Sequence, residues 1–450
     1  MRQDRYTFFF LSLPSLANSG AESPGVCRNF LRSFFTMKKH LFLFLLLSAN
    51  ITAFAQDGKE QFIFPAEFEK IDAIWMGWGI TTYTDTASKE DVENIRLQML
   101  RALTPYVQVH LIVNDTVQRN LLAEKFLISN IDTSKIIFFY SPNWHFWLRD
   151  YGPVFLKGNK GHLMGVDFGF NCYGDCHTGF AKTTDEGDST IAASLGLSVI
   201  KANIVSEGGD REFNGKGVMI INEAVELQRN PGKTKQQLET EFKRVLHVKK
   251  IIWLKYPSVD DSQSRITGIL PTGVYSAGGT GGHVDEICRF VEDHTLLVER
   301  MTEKEKNANS LSRLNYKHLE ANYEILKAAT DQDGNHFRII EMPVPDFVID
   351  KHIVSDKADA FSFPGTIPGD TIRFLASASY MNFIIANNVV LIPKYCRPNC
   401  AVLQKAKDDI AFKIIQQAFP NKKVIQIDVI EFNFGGGGMH CLTQQQPGIY

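Results

Sequence analysis

The sequence predicts an α/β protein, on three observations. Helical and strand-like segments alternate from residue 88 to residue 430. The strand-like runs are rich in Val, Ile and Phe and are bounded by Gly, Asn, Asp and Pro. No Pro/Gly/Ser-rich linker interrupts the alternation, so one domain is favoured over the roughly three that 450 residues allow at ~150 per domain. The balance of 44% hydrophobic and 22% charged residues excludes a disordered, collagen-like or coiled-coil chain. A net charge of −2 implies no basic nucleic-acid surface. Thirty-three Phe suit a large aromatic core, and seven Cys are too few for a disulfide scaffold in a chain this long.

In chain order, the first feature is an address. Met37-Lys38-Lys39-His40 is basic, Leu41–Leu47 is apolar, and Ala53-Phe54-Ala55 is a small-x-small cleavage site. That order is a secretory signal peptide, residues 37–55, with Gln56 as the expected mature start. The apolar run is shorter than the ~20 residues of a spanning helix. Residues 1–36 read as an upstream extension without clear amphipathic period. Residues 56–450 are the expected working domain. Without the first 55 residues Lys+Arg falls from 48 to 42 and Asp+Glu from 50 to 48, a net charge of −6. No later apolar run is long enough to span a bilayer, so an exported product, periplasmic or secreted, is expected, with no membrane contact after cleavage.

Helical spacing then marks 88–103, with Ser88 and Asp91 as candidate caps. Thr234 and Gln237 form a capping box opening a second helix, and 317–330 and 403–419 give two more. Strand-like runs fall at 107–114, 135–140, 164–170, 217–222, 249–254, 295–300, 337–342, 383–392 and 423–429. Two polar stretches, 255–282 and 350–372, lack periodicity. Connections that long are either lids over a site or plain surface insertions.

The chemistry concentrates in four segments. Gly435-Gly436-Gly437-Gly438-Met439-His440-Cys441 places a Cys after a glycine run whose entropic cost makes sense where backbone passes close to a ligand. Cys441 is thus a candidate nucleophile; a buried inert thiol is the plainer reading. A nucleophilic Cys needs a proton partner, and His283 in Gly281-Gly282-His283-Val284-Asp285 is the candidate. His283 and Asp285, two apart, would share one face of an extended segment. The spacing is not H-E-x-x-H, so no metal is expected. Trp144, Trp147, Arg149 and Asp150 cluster before a turn, where a ring face beside a carboxylate can wall a cation; an ordinary core Trp is the alternative. Glu207 precedes Gly208-Gly209 and can orient a His. The Gly215-Lys216-Gly217 stretch lacks the glycine spacing and the Ser/Thr of a P-loop. If Asp150, Glu207 and Asp285 meet Cys441 and His283, the site suits a planar guanidinium, which carboxylates grip bidentately.

The segments WLRDYGPVF, VDFGFN, EGGDREFNGKG, GGHVDEICRFV, SYMNFIIANNVVLIPKY and GGGGMHCLTQQQP, with the opening FPAEFEKIDAIWMGW, resemble in order the agmatine deiminase and bacterial (Porphyromonas-type) peptidylarginine deiminase family. The resemblance covers nearly all of the chain after residue 55. It implies the pentein fold, a five-bladed α/β propeller of ββαβ units in one domain, although the periodicity does not display a fivefold repeat. It also implies hydrolysis of a guanidine to a ureido product and ammonia, without metal or cofactor. Cys441 would be the nucleophile and His283 the acid/base. Asp150 and Asp285 would hold the guanidinium, Glu207 would hold His283, Asn382 would lie near the reacting centre and Trp147 would wall the substrate.

The substrate is an expectation with an alternative. The peptidylarginine branch places two arginines where this chain has Cys172 and Gly174, which favours an agmatine-type small guanidine yielding N-carbamoylputrescine. Export and the long 255–282 segment favour a secreted peptidylarginine deiminase acting on arginine-containing peptides. Arg211 and Arg265 lie in segments able to supply an anion-binding charge. An amidinotransferase, a cysteine peptidase or a non-catalytic binding protein complete the alternatives; a peptidase would not need the extra carboxylates and would need an oxyanion hole. Cys172/Cys176 and Cys396/Cys400 form two C-x3-C pairs for which export makes disulfides plausible, and Cys288 reads as a buried free thiol.

Overall fold

One strand order recurs five times. The computed structural model describes residues 60–79, 89–141, 146–174 and 186–449, apart from 278 and 399. In each unit an antiparallel strand pair is followed by helix and then by a strand parallel to the second of the pair. Val154–Gly158 and Leu163–Gly169 lead through Gly187–Ser194 to Val199–Val205. Glu212–Phe213 and Val218–Asn222 lead through Glu223–Arg229 and Lys235–Leu246 to Lys250–Leu254. Cys288–Glu292 and Thr295–Arg300 lead through Glu303–Lys306 and Ser310–Ala328 to Arg338–Pro343. Ile384–Ala386 and Val389–Lys394 lead through Val402–Ala418 to Lys423–Asp428. The fifth unit joins the chain's two ends. Thr443–Pro447 pairs antiparallel with Ile71–Gly77, which leads through Lys89–Leu103 to the parallel strand Gln108–Val113. Five ββαβ units are what the pentein fold implies, and the C-terminal strand completes the fifth.

The elements form for local reasons. In Lys235–Leu246 the buried residues Leu238, Phe242, Val245 and Leu246 fall on one helical stripe, and Thr234 and Gln237 make the capping box read from the sequence. The second strands of the units are buried almost throughout, as in Val389–Lys394 and Val218–Asn222, which is why they read as continuous apolar runs.

Several expectations are corrected. The run 383–392 is two antiparallel strands, Ile384–Ala386 and Val389–Lys394, turning at Asn387-Asn388. Asn387 is spoken for there, since its side chain bonds both the N–H and the C=O of Ile71. The helix placed at 317–330 begins earlier and spans Ser310–Ala328. The stretches 255–282 and 350–372 are built into the fold. Tyr275–Ser276 pairs with Thr371–Leu375, which pairs with Ile349–Ile353 in a separate small sheet, and residues 258–264 are buried. Cys396 and Cys400 are disulfide-bonded with Cα atoms 5.2 Å apart, within the usual span. Cys288 is a buried free thiol. Cys176, Trp144, Ser88 and the segment 37–55 lie outside the described residues. Among the described residues no helix is long and apolar enough to cross a membrane.

Candidate active site

The fivefold unit explains how distant segments meet. Asp150, Glu207, Asp285, Asn382 and Cys441 each lie two to five residues before the first strand of a different unit, beginning at Val154, Glu212, Cys288, Ile384 and Thr443. Each unit therefore delivers at least one polar side chain to a common centre, and all five of these are buried.

Cys441 is 4% exposed. The Asn382 Nδ2 group donates to its Sγ at 3.2 Å, and the thiol faces Asp285 Oδ2 at 3.8 Å. Close approach explains two glycines of the run before it, tight at Gly437 and prohibitive at Gly438. A Cβ on Gly437 would stand 3.2 Å from Sγ and 3.1 Å from the Trp147 ring, and one on Gly438 would stand 2.4 Å from Asn382 Oδ1. The Trp147 ring therefore lies against Gly437 on the same side as the thiol. Main-chain bonds fix the loop: the Arg149 N–H donates to the Cys441 carbonyl, and the His440 N–H donates to Asn382 Oδ1.

His283 is 1% exposed. Its Nε2 lies 3.2 Å from Glu207 Oε2, and its Nδ1 lies 3.6 Å from Asp150 Oδ1. Gly209 makes this approach possible, since a Cβ there would lie 2.4 Å from His283 Nδ1. The His283 loop is clamped by Asp261, whose carboxylate accepts from the N–H groups of Thr280, Gly282 and His283 and from the Thr280 hydroxyl. The predicted shared face of an extended 283–285 is corrected: Val284–Glu286 is a 3-10 turn with His283 at its start. His283 and Asp285 reach the centre by that turn, His283 against Glu207 and Asp285 against Asn382 and Cys441.

Charges are set by the surroundings. Burial opposes a charged His283, but Asp150, Glu207 and Asp285 outweigh it and raise its pKa to about 10. Burial also pushes Glu207 up, yet the Arg229 guanidinium, 2.7 Å from Oε1, and His283 bring it down to about 2. Burial raises Asp150, against the pull of His283. Burial and the charges of Asp285, Glu286 and Asp150 push the Cys441 thiol well above its ordinary 9.0. In these surroundings the centre holds an imidazolium and a protonated thiol. Alkylation of Cys441 by iodoacetamide should be slow at neutral pH and keep accelerating past pH 9.0, measured by mass spectrometry of the Cys441 peptide; a rate that levels off near pH 7 would contradict this electrostatic account.

Among the described residues, two buried atoms at this centre have no hydrogen-bond partner, Asp285 Oδ1 and His283 Nδ1. Several neighbours escaped the sequence reading. Tyr173 donates its hydroxyl to Asp150 Oδ2 at 2.9 Å. The Glu286 carboxylate accepts from Asn382 Nδ2 at 2.8 Å. His440 lies between Asp285 Oδ2, at 2.7 Å, and Glu67, at 2.9 Å. His440 stood in plain view beside Cys441, whereas Glu67 and Arg229 carry no local signal. Arg211 is buried over the Phe168 ring and donates to the Ser206 carbonyl, next to Glu207. Arg265 lines a cavity with Cys172, Tyr173 and Gln263.

Comparison with known proteins places this geometry. Residues 63–447 match the family model described as Porphyromonas-type peptidyl-arginine deiminase. A Streptococcus mutans protein named "Putative agmatine deiminase" is 29% identical over 399 residues, covering 87% of this chain and 96% of its own length. The solved agmatine deiminase of Enterococcus faecalis superposes with a TM-score of 0.68 at 25% identity, covering 88% of this chain and 97% of that one. An agmatine deiminase of C. jejuni, solved with substrate bound, shares the fold with a TM-score of 0.65 at 21% identity, covering 87% of this chain and 98% of that one. With five ββαβ units, a site assembled from all five and a family match running almost end to end, the chain belongs to the Porphyromonas-type peptidyl-arginine deiminase family.

Proposed function

We propose that this chain is a guanidine-deiminating hydrolase acting on a small agmatine-type substrate. The observation that carries the reading is the buried Cys441 thiol facing Asp285, a carboxylate whose Oδ2 lies 3.8 Å from the sulfur and whose Oδ1 has no partner. A guanidinium supplies the missing donors in one plane, and Asp150 offers a second carboxylate. Its positive charge offsets the carboxylate field that holds the thiol protonated, so substrate binding itself favours the thiolate. The thiol proton leaves to solvent as the guanidinium binds; sulfur adds to the guanidinium carbon, and as the C–N bond breaks His283 protonates the departing ammonia. Neutral His283, held by Glu207, then activates the water that releases the ureido product. No step calls for a metal or cofactor.

The agmatine-type reading rests on Cys172 and Gly174, which present no cation to a substrate carboxylate, and on the names of the relatives. A carboxylate-bearing guanidine, free or peptidyl arginine, is the second reading, favoured by Arg265 in the cavity beside Tyr173. Burying an unpaired carboxylate costs several kcal/mol, so the two readings diverge sharply. kcat/KM for agmatine should exceed that for a peptide ending in arginine. A tenfold preference for the peptide, about 1.4 kcal/mol at the transition state, would reject the agmatine-type reading. In that case Arg265→Ala should remove the preference. We also propose export by the 37–55 signal: Edman sequencing of the native protein should begin at Gln56, and a start at Met1 or Met37 would reject export.

A further inference from the structure

His440 is 1% exposed and is bracketed by carboxylates. Its Nδ1 lies 2.7 Å from Asp285 Oδ2, and its Nε2 lies 2.9 and 3.0 Å from the two oxygens of Glu67. A neutral imidazole has one N–H and would turn a lone pair toward one carboxylate. Between two ionised carboxylates, only a ring with both N–H groups donates to both sides. Behind Glu67 stand two buried guanidiniums. Arg149 Nη1 donates to Oε1 at 2.6 Å and Arg289 Nη2 donates to Oε2, while Gln445 Nε2 adds a third donor at 2.9 Å. Arg289 is itself anchored by Glu212 and by the carbonyls of Met381 and Phe383. The result is an unbroken row, Arg149 and Arg289, Glu67, His440, Asp285, ending beside the thiol.

We propose that His440 is a positioning residue for deimination, held as an imidazolium between Glu67 and Asp285 so that Asp285 stays ionised with its second oxygen free for the guanidinium. The proposal rests on the reading of the site as a guanidine deiminase. Asp285 needs such help. It is buried among Glu286, Asp150 and the Cys441 thiol, and burial alone would raise its pKa; the bond and charge of His440 are the largest of the influences that bring it below its ordinary value. Glu67 is likewise held well below its usual range, against burial, by Arg149, His440 and Arg289. His440 also fixes which oxygen is used. Oδ2 is taken by His440 and Asn382, and Oδ1 is the atom without a partner. A substrate nitrogen thus meets a single preset acceptor.

The test is His440→Gln, which keeps an N–H donor for Asp285 and removes the charge. Groups facing His440 are Asp285 and Glu67, with Arg149 and Arg289 behind Glu67 and Glu286, Asp150 and Cys441 around Asp285. In the variant the acid limb of kcat/KM should move up by about one pH unit or more and steepen, because Asp285 joins Asp150 among the groups that must ionise. KM should rise by roughly tenfold, more than kcat falls, because a guanidinium contact made in the ground state is weakened. Glu67→Gln, which unsettles the same imidazolium from its far side, should shift the limb in the same direction and serves if the first variant does not fold. A purely structural His440 would lower the folded fraction and leave the limb and KM of the folded enzyme in place, and that result in either variant overturns the proposal. A wild-type enzyme that releases no ammonia from any guanidine would instead overturn the reading of the site.

Discussion

Cys441→Ala should abolish ureido product formation, lowering kcat by about 10⁴-fold or more, since no other group near the centre can form the covalent intermediate. The fold should survive. Asn382 Nδ2, which donates to the sulfur, keeps Glu286 Oε1 at 2.8 Å and Asp285 Oδ2 at 3.2 Å. The loop remains fixed by the bonds from Arg149 to the Cys441 carbonyl and from His440 to Asn382. Losing one buried sulfur should cost about 1 kcal/mol of stability. Steady-state assay beside urea denaturation checks both halves: turnover above a few per cent of wild type removes Cys441 as nucleophile. Cys288, a second buried thiol, is predicted to be silent, because it lies in the strand Cys288–Glu292 with its pKa raised by burial and by Glu212.

His283→Gln should lower kcat by about 10² to 10⁴-fold, the range for loss of a general acid and base. Glutamine preserves polar contact with Glu207 and cannot deliver a proton to ammonia. The same residue ties stability to pH. Its folded pKa of about 10 exceeds the ordinary 6.5, so its stabilising effect is fully present below pH 6.5 and is lost as pH rises through about 10. Chemical denaturation at several pH values should show the wild type weakening across that window and His283→Gln weakening less. Equal slopes for the two proteins would contradict the ion-pair account of His283.

Much of this site was legible because its residue types are unusual where they stand. A Cys after four glycines, a His after two and a Glu before two were each odd locally, and the glycines at Gly438 and Gly209 prove necessary for close approach. What stayed hidden depends on tertiary closure. Glu67 acts only because the loop carrying His440 and the turn carrying Arg149 fold against it, and no spacing in FPAEFEK announces that. The fivefold repeat was invisible because the units share strand order and not sequence, and because one unit is split between the chain's ends. The stretch 255–282 read as either a lid or a surface insertion since its polar residues have no period. Asp261 spends its carboxylate on four hydrogen bonds to the His283 loop, so part of that stretch is a strut.

The central claim is a covalent thiouronium on Cys441, and acid-quenched turnover with agmatine tests it most directly. Enzyme mixed with excess agmatine, quenched in milliseconds and digested should carry the substrate's carbon skeleton, less one ammonia, on the Cys441 peptide alone. The adduct should form and decay at rates consistent with ammonia and ureido product release. Full turnover of agmatine with an unmodified Cys441 peptide at every quench time, or an adduct on a different residue, would contradict the account.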